Sequence, residues 1–408
     1  MNMAHPFKAQ LKAQRLGILG SGQLARMLVQ AAQKMGISPT ILADHPDSPA
    51  AQVCPSVVIG SIRDAKTLRG FLSGLDQVIF ENEFIPCDVI QHAAEGLPVV
   101  FSPTIEAMRF LQDKLNQKQI LQKLRIPCTR YIAAPFPLED PAAWLLSTQQ
   151  NLGDRFVIKW AQLGYDGKGT FTFANAGDLS RAVLFCNEAN LKKVQVYAEE
   201  FIPFRRELAI IGCHSRSGEY TNYPPVISEQ ENHVCLWTKG PASALSVKAP
   251  VIRAAEKAAE TLARAIPLHG VFAIEFFETK KGKLLVNEIA PRVHNTGHFT
   301  LNASDTDQFE NHIRAISGMP LGSPRSRPAF AMINLIGPPE LRKKVQAPAL
   351  PSLVAGLHLH WYGKQELHPG RKMGHLNGST EQPKKFKTLV AELEACKNCW
   401  LEQVRRKS

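Results

Sequence analysis

Leu284-Leu285-Val286-Asn287-Glu288-Ile289-Ala290-Pro291-Arg292-Val293-His294-Asn295-Thr296-Gly297-His298 carries an apolar strand up to an amide and a carboxylate, then turns irregular and delivers an arginine and two histidines. Upstream, the run Val271-Phe272-Ala273-Ile274-Glu275-Phe276-Phe277 sets one carboxylate, Glu275, inside a pattern that is otherwise buried. A carboxylate there is costly unless a cation or a donor meets it. Two acids on neighbouring strands, with an amide beside one, suit a hard divalent ion that keeps phosphate oxygens as its other ligands. The arginine and histidines that follow suit an anionic substrate beside that ion. The stretch outlines a phosphoryl-transfer site built on strands.

A length of 408 residues exceeds one ordinary domain and predicts two or three. A hydrophobic content of 44% supplies real cores. No apolar run approaches the length of a membrane span, so no membrane contact is expected. Residues 1–14 are basic, lack the apolar stretch of a secretory signal, and read as a disordered extension. Eight cysteines are scattered without a framework spacing, which predicts reduced thiols and a cytoplasmic protein. Cys396-x-x-Cys399 is the one metal-like spacing and has no second pair. The net charge of +12 is spread, with small clusters at Arg342-Lys343-Lys344, Lys384-Lys385 and Arg405-Arg406-Lys407. That distribution predicts a solvated surface with basic phosphate pockets and no nucleic-acid partner.

The first hundred residues alternate strand and helix. Strands fit Leu16 to Leu19, Pro39 to Ala43, Ser56 to Ile59, Gln77 to Phe80 and Pro98 to Phe101, with helical pieces between them. This predicts an α/β fold opening on a Rossmann-like parallel sheet over 15–112. Two helices follow, around Thr104 to Gln112 and Asp113 to Lys123. Strands then fit Arg155 to Trp160, Phe171 to Phe173, Val194 to Phe201, Glu207 to Gly212 and Val271 to Phe277. Alanine-rich Ala249 to Ala265 predicts a long helix stopped before Pro267. These elements make a second domain over 113–320. Strand character returns at Ala331 to Leu335 and Gly356 to Tyr362, a small β-rich domain over 321–380. Residues 381–408 are left as a helical basic tail without an assigned role.

Gly20-x-Gly22-x-x-Ala25 follows a strand and opens a helix, the arrangement of an anion-binding turn, and Asp44 lies near the distance of a ribose-binding acid. Nothing downstream supports hydride chemistry. Glu81 and Glu83 end a parallel strand and project the same way, where a sheet presents ligands and where carboxylates can take ribose hydroxyls. Gly164-Tyr165-Asp166-Gly167-Lys168-Gly169-Thr170 lies between two strands, a hairpin flap whose glycines let backbone amides approach phosphate and whose lysine adds charge. Lys159 is a lone cation in the apolar run Phe156-Val157-Ile158 and needs an anion. Gly370-Arg371-Lys372-Met373-Gly374-His375 is a second glycine-bracketed basic cluster suited to a sugar phosphate. His358, His360 and His368 read as structural or surface histidines.

Together these residues resemble the ATP-grasp superfamily, and within it the N5-carboxyaminoimidazole ribonucleotide synthetase family, over Leu16 to Asn377. The marks are Gly17-Ile18-Leu19-Gly20-Ser21-Gly22-Gln23-Leu24, the Glu81/Glu83 pair, the flap, the stretch Glu288 to His298, and Gly370 to Asn377. The resemblance implies that ATP lies between two sheets. Lys114 and Lys159 would meet its phosphates under the flap residues Gly164, Tyr165, Asp166, Gly167, Lys168, Gly169 and Thr170. Glu199, Glu200, Phe201 and Ile202 would form the hinge at adenine, Glu207 would take the ribose, and Gln230 would stand where relatives carry a nucleotide-contacting histidine. Glu275 and Glu288 would hold Mg2+, with Asn287 alongside. Aminoimidazole ribonucleotide would meet Gly22, Gln23, Arg371 and Lys372 through its phosphate, and Glu81 and Glu83 through its ribose. Tyr165, Asp166, Arg292 and His294 would approach the reacting base and bicarbonate. Ala25 replaces a glycine common at the end of the family's turn, and Lys114 stands where arginine is also found. The implied reaction phosphorylates bicarbonate with ATP and traps the resulting carbon dioxide on an exocyclic amine, in a homodimer. Another ATP-grasp ligase of purine synthesis, or a nucleotide-binding regulator on a dead scaffold, is the alternative.

Overall fold

The computed structural model describes residues 15–164, 167–347 and 356–406. The expected extension over 1–14, the flap residues Tyr165 and Asp166, and residues 348–355 lie outside these. Near the N-terminus a five-stranded parallel sheet runs in the order Ser56–Ile59, Thr40–Ala43, Leu16–Leu19, Gln77–Phe80, Val100–Ser102. Its central strands Leu16–Leu19 and Gln77–Phe80 are buried along their whole length because helices cover both faces. The helix Gln23–Lys34 buries Leu24, Met27, Leu28, Ala31 and Ala32, a stripe of helical period. The sheet reverses direction of winding between Leu16–Leu19 and Gln77–Phe80, so the loops after Leu19 and Phe80 open one crevice.

A four-stranded antiparallel sheet follows, ordered Tyr131–Ala133, Val196–Glu200, Phe156–Trp160, Thr170–Phe173. The helices Pro141–Leu152 and Leu179–Leu191 cover it through Leu145, Ala182 and Cys186. The largest sheet runs Leu284–Ala290, Gly270–Thr279, Phe204–His214, Val226–Glu231, Val234–Gly240, Ala329–Ile336, Lys372–Thr380, Leu357–Trp361. The helix Ala249–Ala265 starts and stops where its alanine periodicity predicts, and packs Ala255, Ala259 and Leu262 onto Leu208, Phe272 and Ile274. The opposite face meets the helix Gln23–Lys34 and the helix Gln308–Ile316 in one continuous core. The N-terminal sheet is thereby fixed against the large sheet, with a crevice left between their edges.

The C-terminal β-rich region hydrogen-bonds directly onto the large sheet, with Trp237 opposite Ile333 and Ile333 opposite Leu376. Residues 381–406 are not a free tail. The helix Phe386–Arg406 lays Leu389, Leu393, Trp400 and Val404 against Ile333, Leu335 and Leu376. Its charge-rich composition hid a stripe repeating at helical spacing. All eight cysteines are free thiols, and no group of acids, histidines and cysteines among the described residues is arranged to hold a metal by itself. Leu393 is 0% exposed, so Leu393→Ala is expected to cost about 2–5 kcal/mol and to lower the melting temperature of the whole chain. Thermal unfolding followed by circular dichroism checks this; an unchanged transition would mean that the helix is detached in solution.

Candidate active site

Glu275 stands opposite Glu288 on paired strands, and one step on Phe276 stands opposite Val286. Asn287 is therefore an extra residue in its strand. This bulge breaks the alternation of side chains, so consecutive Asn287 and Glu288 both line a cleft of about 880 Å³. Glu207, on the next strand, faces the same space. Burial, with repulsion from Glu288 and Glu207, pushes the Glu275 carboxyl up to about 8. Burial likewise lifts Glu207 to about 7. Glu288 escapes this despite burial, because the Lys114 ammonium lies 2.7 Å away and holds it below its ordinary value.

The basic side chain next to Glu275 is His294, whose Nε2 lies 3.9 Å from Oε1. Burial, reinforced by the charges of Arg292 and Lys372, drives that imidazole well below its ordinary pKa, so it is neutral. The Thr296 N–H donates to His294 Nδ1, which leaves the proton on Nε2, facing the acid. Glu275 thus has an imidazole nearby but, among the described residues, no cation partner.

Further along the cleft, Lys159 donates to Asn287 Oδ1 at 3.0 Å and lies 3.3 Å from Glu199. Burial, and the nearby Lys118 and Lys114, lower its pKa against the pull of Glu199. Glu199 is 2% exposed and also binds Lys118 at 2.9 Å. Thr129 Oγ1 accepts from Lys118 and donates to Glu199, each at 2.8 Å. Burial would raise the Glu199 carboxyl, yet Lys118 and Lys159 hold it down to about 2. Glu199 lines the cleft beside the other expected hinge residues, and its side chain orients two buried lysines.

On the opposite wall, Glu81 accepts the Gly22 N–H at 2.7 Å. A side chain at Gly20 or Gly22 would run into that carboxylate, so the glycine turn wraps an acid from the neighbouring strand. Two features read separately in the sequence, the anion turn and the acid pair, meet each other here. Gln23 lines the cleft, and Gly22 supplies the backbone behind it. Burial raises the Glu81 carboxyl, with the Gly22 N–H and the Lys364 charge opposing. Glu83 is gripped by the Arg292 guanidinium through both oxygens. Lys372 lines the cleft, whereas Arg371 donates to the Glu366 carbonyl and is not among the lining residues.

The hinge residues Glu200, Phe201 and Ile202 line the far end with Gln230. The Glu200 carboxylate is taken by Arg130, its Nε at 3.0 Å, so what Glu200 presents to the cleft is mainly backbone. Gly164, Gly167, Lys168 and Thr170 line the roof, and Thr170 pairs with Lys159 across a hairpin as the flap reading expects. Gly169 closes that hairpin by accepting from Trp160 N–H at 2.9 Å. Sequence reasoning missed Lys118, Arg206 and Lys364. Lys118 had a legible signal, since it lies one helical turn from Lys114 and shares its face. The other two are visible only once the chain has folded.

The chain matches models of three families: the ribonucleotide synthetase preATP-grasp domain over residues 13–112, the ATP-grasp domain over 119–309, and the phosphoribosylaminoimidazole carboxylase C-terminal domain over 331–388. It is 36% identical over 396 residues to the N5-carboxyaminoimidazole ribonucleotide synthase of Synechococcus elongatus, covering 94% of this chain and 95% of that one. The carboxyaminoimidazole ribonucleotide synthase of Aspergillus clavatus complexed with ATP superposes with a TM-score of 0.84 at 29% identity, over 96% of this chain and 100% of that one. The Aspergillus clavatus enzyme with ADP and 5-aminoimidazole ribonucleotide gives 0.83 at 29% identity, over 95% and 99%.

Replacing Glu199 by Gln leaves two buried ammonium groups facing an amide. The cost at neutral pH is expected to be about 3–5 kcal/mol. Because the Glu199 carboxyl is depressed from 4.5 to about 2, its contribution is present above about pH 4.5 and is lost as pH falls toward 2. The gap in melting temperature between Glu199→Gln and the parent should therefore be widest near neutrality and shrink over that acid range. A gap independent of pH would show that the pair contributes nothing electrostatic.

Proposed function

The chain belongs to the N5-carboxyaminoimidazole ribonucleotide synthase family, and from that premise we propose how its cleft divides between substrates. The protein is an ATP-dependent ligase that carboxylates 5-aminoimidazole ribonucleotide to N5-carboxyaminoimidazole ribonucleotide in purine biosynthesis. The observation that carries the division is the bulge at Asn287. It brings Lys159, Glu288 and Glu275 to the same floor as Arg292 and His294, so a phosphoryl-transfer end and a carboxyl-accepting end share one cleft.

ATP lies with its adenine against Phe201, Ile202 and Gln230, its ribose at Glu207, and its phosphates at Lys114 and Lys159 beneath the flap. Glu275 fits a dication: it lies half-buried among carboxylates with no cation partner among the described residues, and burial with repulsion from Glu288 and Glu207 pushes it up to about 8. Glu275 and Glu288 would hold Mg2+, which neutralises charge on the transferring phosphoryl group. The ribonucleotide lies along the N-terminal sheet, with ribose at Glu81 and Glu83 and phosphate at Gln23, Lys372 and the Arg371 strand end. Bicarbonate attacks the γ-phosphoryl group, ADP leaves, and carboxyphosphate breaks down to carbon dioxide and phosphate. The exocyclic amine captures the carbon dioxide and gives up a proton. The lysines lower the barrier electrostatically, and the flap, with Tyr165 and Asp166, keeps water from hydrolysing carboxyphosphate. Asp166 orients or deprotonates the amine. Two subunits form a homodimer, which sedimentation equilibrium reads directly.

Purified protein with Mg2+, ATP and bicarbonate is expected to release ADP rapidly only when aminoimidazole ribonucleotide is added, with labelled bicarbonate entering an acid-labile product. Release indifferent to the ribonucleotide would point to another acyl-phosphate ligase. Lys159→Met should lower kcat/KM for ATP by roughly 100-fold or more, as expected for loss of a preorganised charge at the phosphoryl group. Asp166→Asn should still release ADP but lose coupled carboxylation; full coupling would remove Asp166 from its role.

A further inference from the structure

One buried amide holds the irregular stretch that follows Arg292. Gln308, 0% exposed, begins the helix Gln308–Ile316 and reaches back to His294. Its Oε1 accepts the His294 N–H at 3.0 Å, and its Nε2 donates to the His294 carbonyl at 2.8 Å. Those two bonds admit a single orientation of the amide, because an N–H must face an oxygen and a carbonyl must face an N–H. A Cβ at Gly297 would come within 2.6 Å of Gln308 Oε1, so the glycine is what lets the amide sit there.

The same Nε2 lies 3.1 Å from His298 Nδ1 and turns its remaining hydrogen to it. His298 Nδ1 is therefore an acceptor, and the uncharged ring carries its proton on Nε2. Burial, with His360, Lys372 and Arg292 nearby, keeps the ring uncharged. The Nε2 atom is itself buried and has no hydrogen-bond partner among the described residues. His375 lies at 4.8 Å with its plane tilted by 33°, so it covers the face of His298 and does not meet an N–H that points along the ring plane. His298 lines the cleft with His294, Asn295 and Lys372. A buried donor left without an acceptor is costly, and a ligand oxygen would satisfy it.

We propose that Gln308 is a positioning residue that locks His298 as a neutral Nε2–H donor, and that this donor takes an anionic oxygen of the bicarbonate-derived carboxyl group. The second half rests on the carboxylation assigned above. The location favours the carboxyl group over the nucleotide phosphates: His298 belongs to the Arg292–His294 end, while Lys114 and Lys159 gather at the other. An uncharged donor stabilises an oxyanion without surrendering a proton to it, as an imidazolium would.

Nitrogen NMR of the full chain with labelled histidine decides the tautomer, the His298 signals being identified by their loss in His298→Gln. The expected spectrum has Nδ1 bare and Nε2 protonated across neutral pH, with Nε2 shifting when bicarbonate is added to the nucleotide complex. In Gln308→Glu the side chain no longer donates, and the proton is expected to move to Nδ1. His298→Gln should lower the ribonucleotide-dependent kcat by roughly 100-fold and raise the KM for bicarbonate, with the KM for ATP unchanged. Gln308→Glu should reproduce that loss with His298 still present. A proton on Nδ1 in the unsubstituted protein overturns the lock, whether or not Gln308→Glu folds. Full coupled turnover in His298→Gln overturns the carboxyl assignment. ADP release that ignores the ribonucleotide in the unsubstituted protein would sink the carboxylase reading instead, and the tautomer would still be judged by its own spectrum.

Discussion

The Glu199 carboxylate, shared by Lys118 and Lys159, is the interaction on which the cleft depends. Glu199 is on the small sheet, Lys118 on the helix Lys114–Lys123, and Lys159 reaches from the small sheet to Asn287 on the large one. Three elements from different parts of the chain are therefore fastened through one buried anion. Charges are retained in such a place only when geometry is good and remaining lone pairs are satisfied. Thr129 supplies that satisfaction by bonding both Lys118 and Glu199. The arrangement leaves Lys159 with a share of a carboxylate and not a whole one, which keeps its ammonium available to a stronger anion.

Around this point the cleft is organised by charge of alternating sign. Lys114 answers Glu288, Arg292 answers Glu83, and Lys364 acts on Glu81. Glu275 and Glu207 are the exceptions, lifted by burial to about 8 and about 7. Structural ion pairs would have been completed during folding. Acids without a cation partner among the described residues, beside lysines that share theirs, are the groups on which the proposed division of the cleft rests.

Local irregularities serve the same end. The bulge at Asn287 breaks a strand so that consecutive polar residues face one way. The glycines at 20 and 22 give up side chains so that Glu81 can lie on the turn. Gly297 does the same for the Gln308 amide. In each case regular structure yields to a specific polar contact, and neighbouring regular elements hold the exception in place.

The parallel first sheet, the long helix Ala249–Ala265 and the need of Glu275 and Lys159 for partners were legible in the order of residues. Short apolar runs between turn residues leave few alternatives, alanine at helical spacing marks its own ends, and a carboxylate or lysine in an apolar run needs a reason wherever it folds. The sequence was silent on the strands Val226–Glu231 and Val234–Gly240; the first ends in the polar run Ser228 to Glu231, which carries no apolar alternation. It treated 381–408 as a tail, because the buried stripe of the helix Phe386–Arg406 is diluted by charge on the other face. Which charge meets which was settled by folding. Arg292 and Glu83 are 209 residues apart, and Glu288 and Lys114 are 174 apart. Electrostatic partners are chosen by distance through space, and that distance exists only after the sheets have closed on one another.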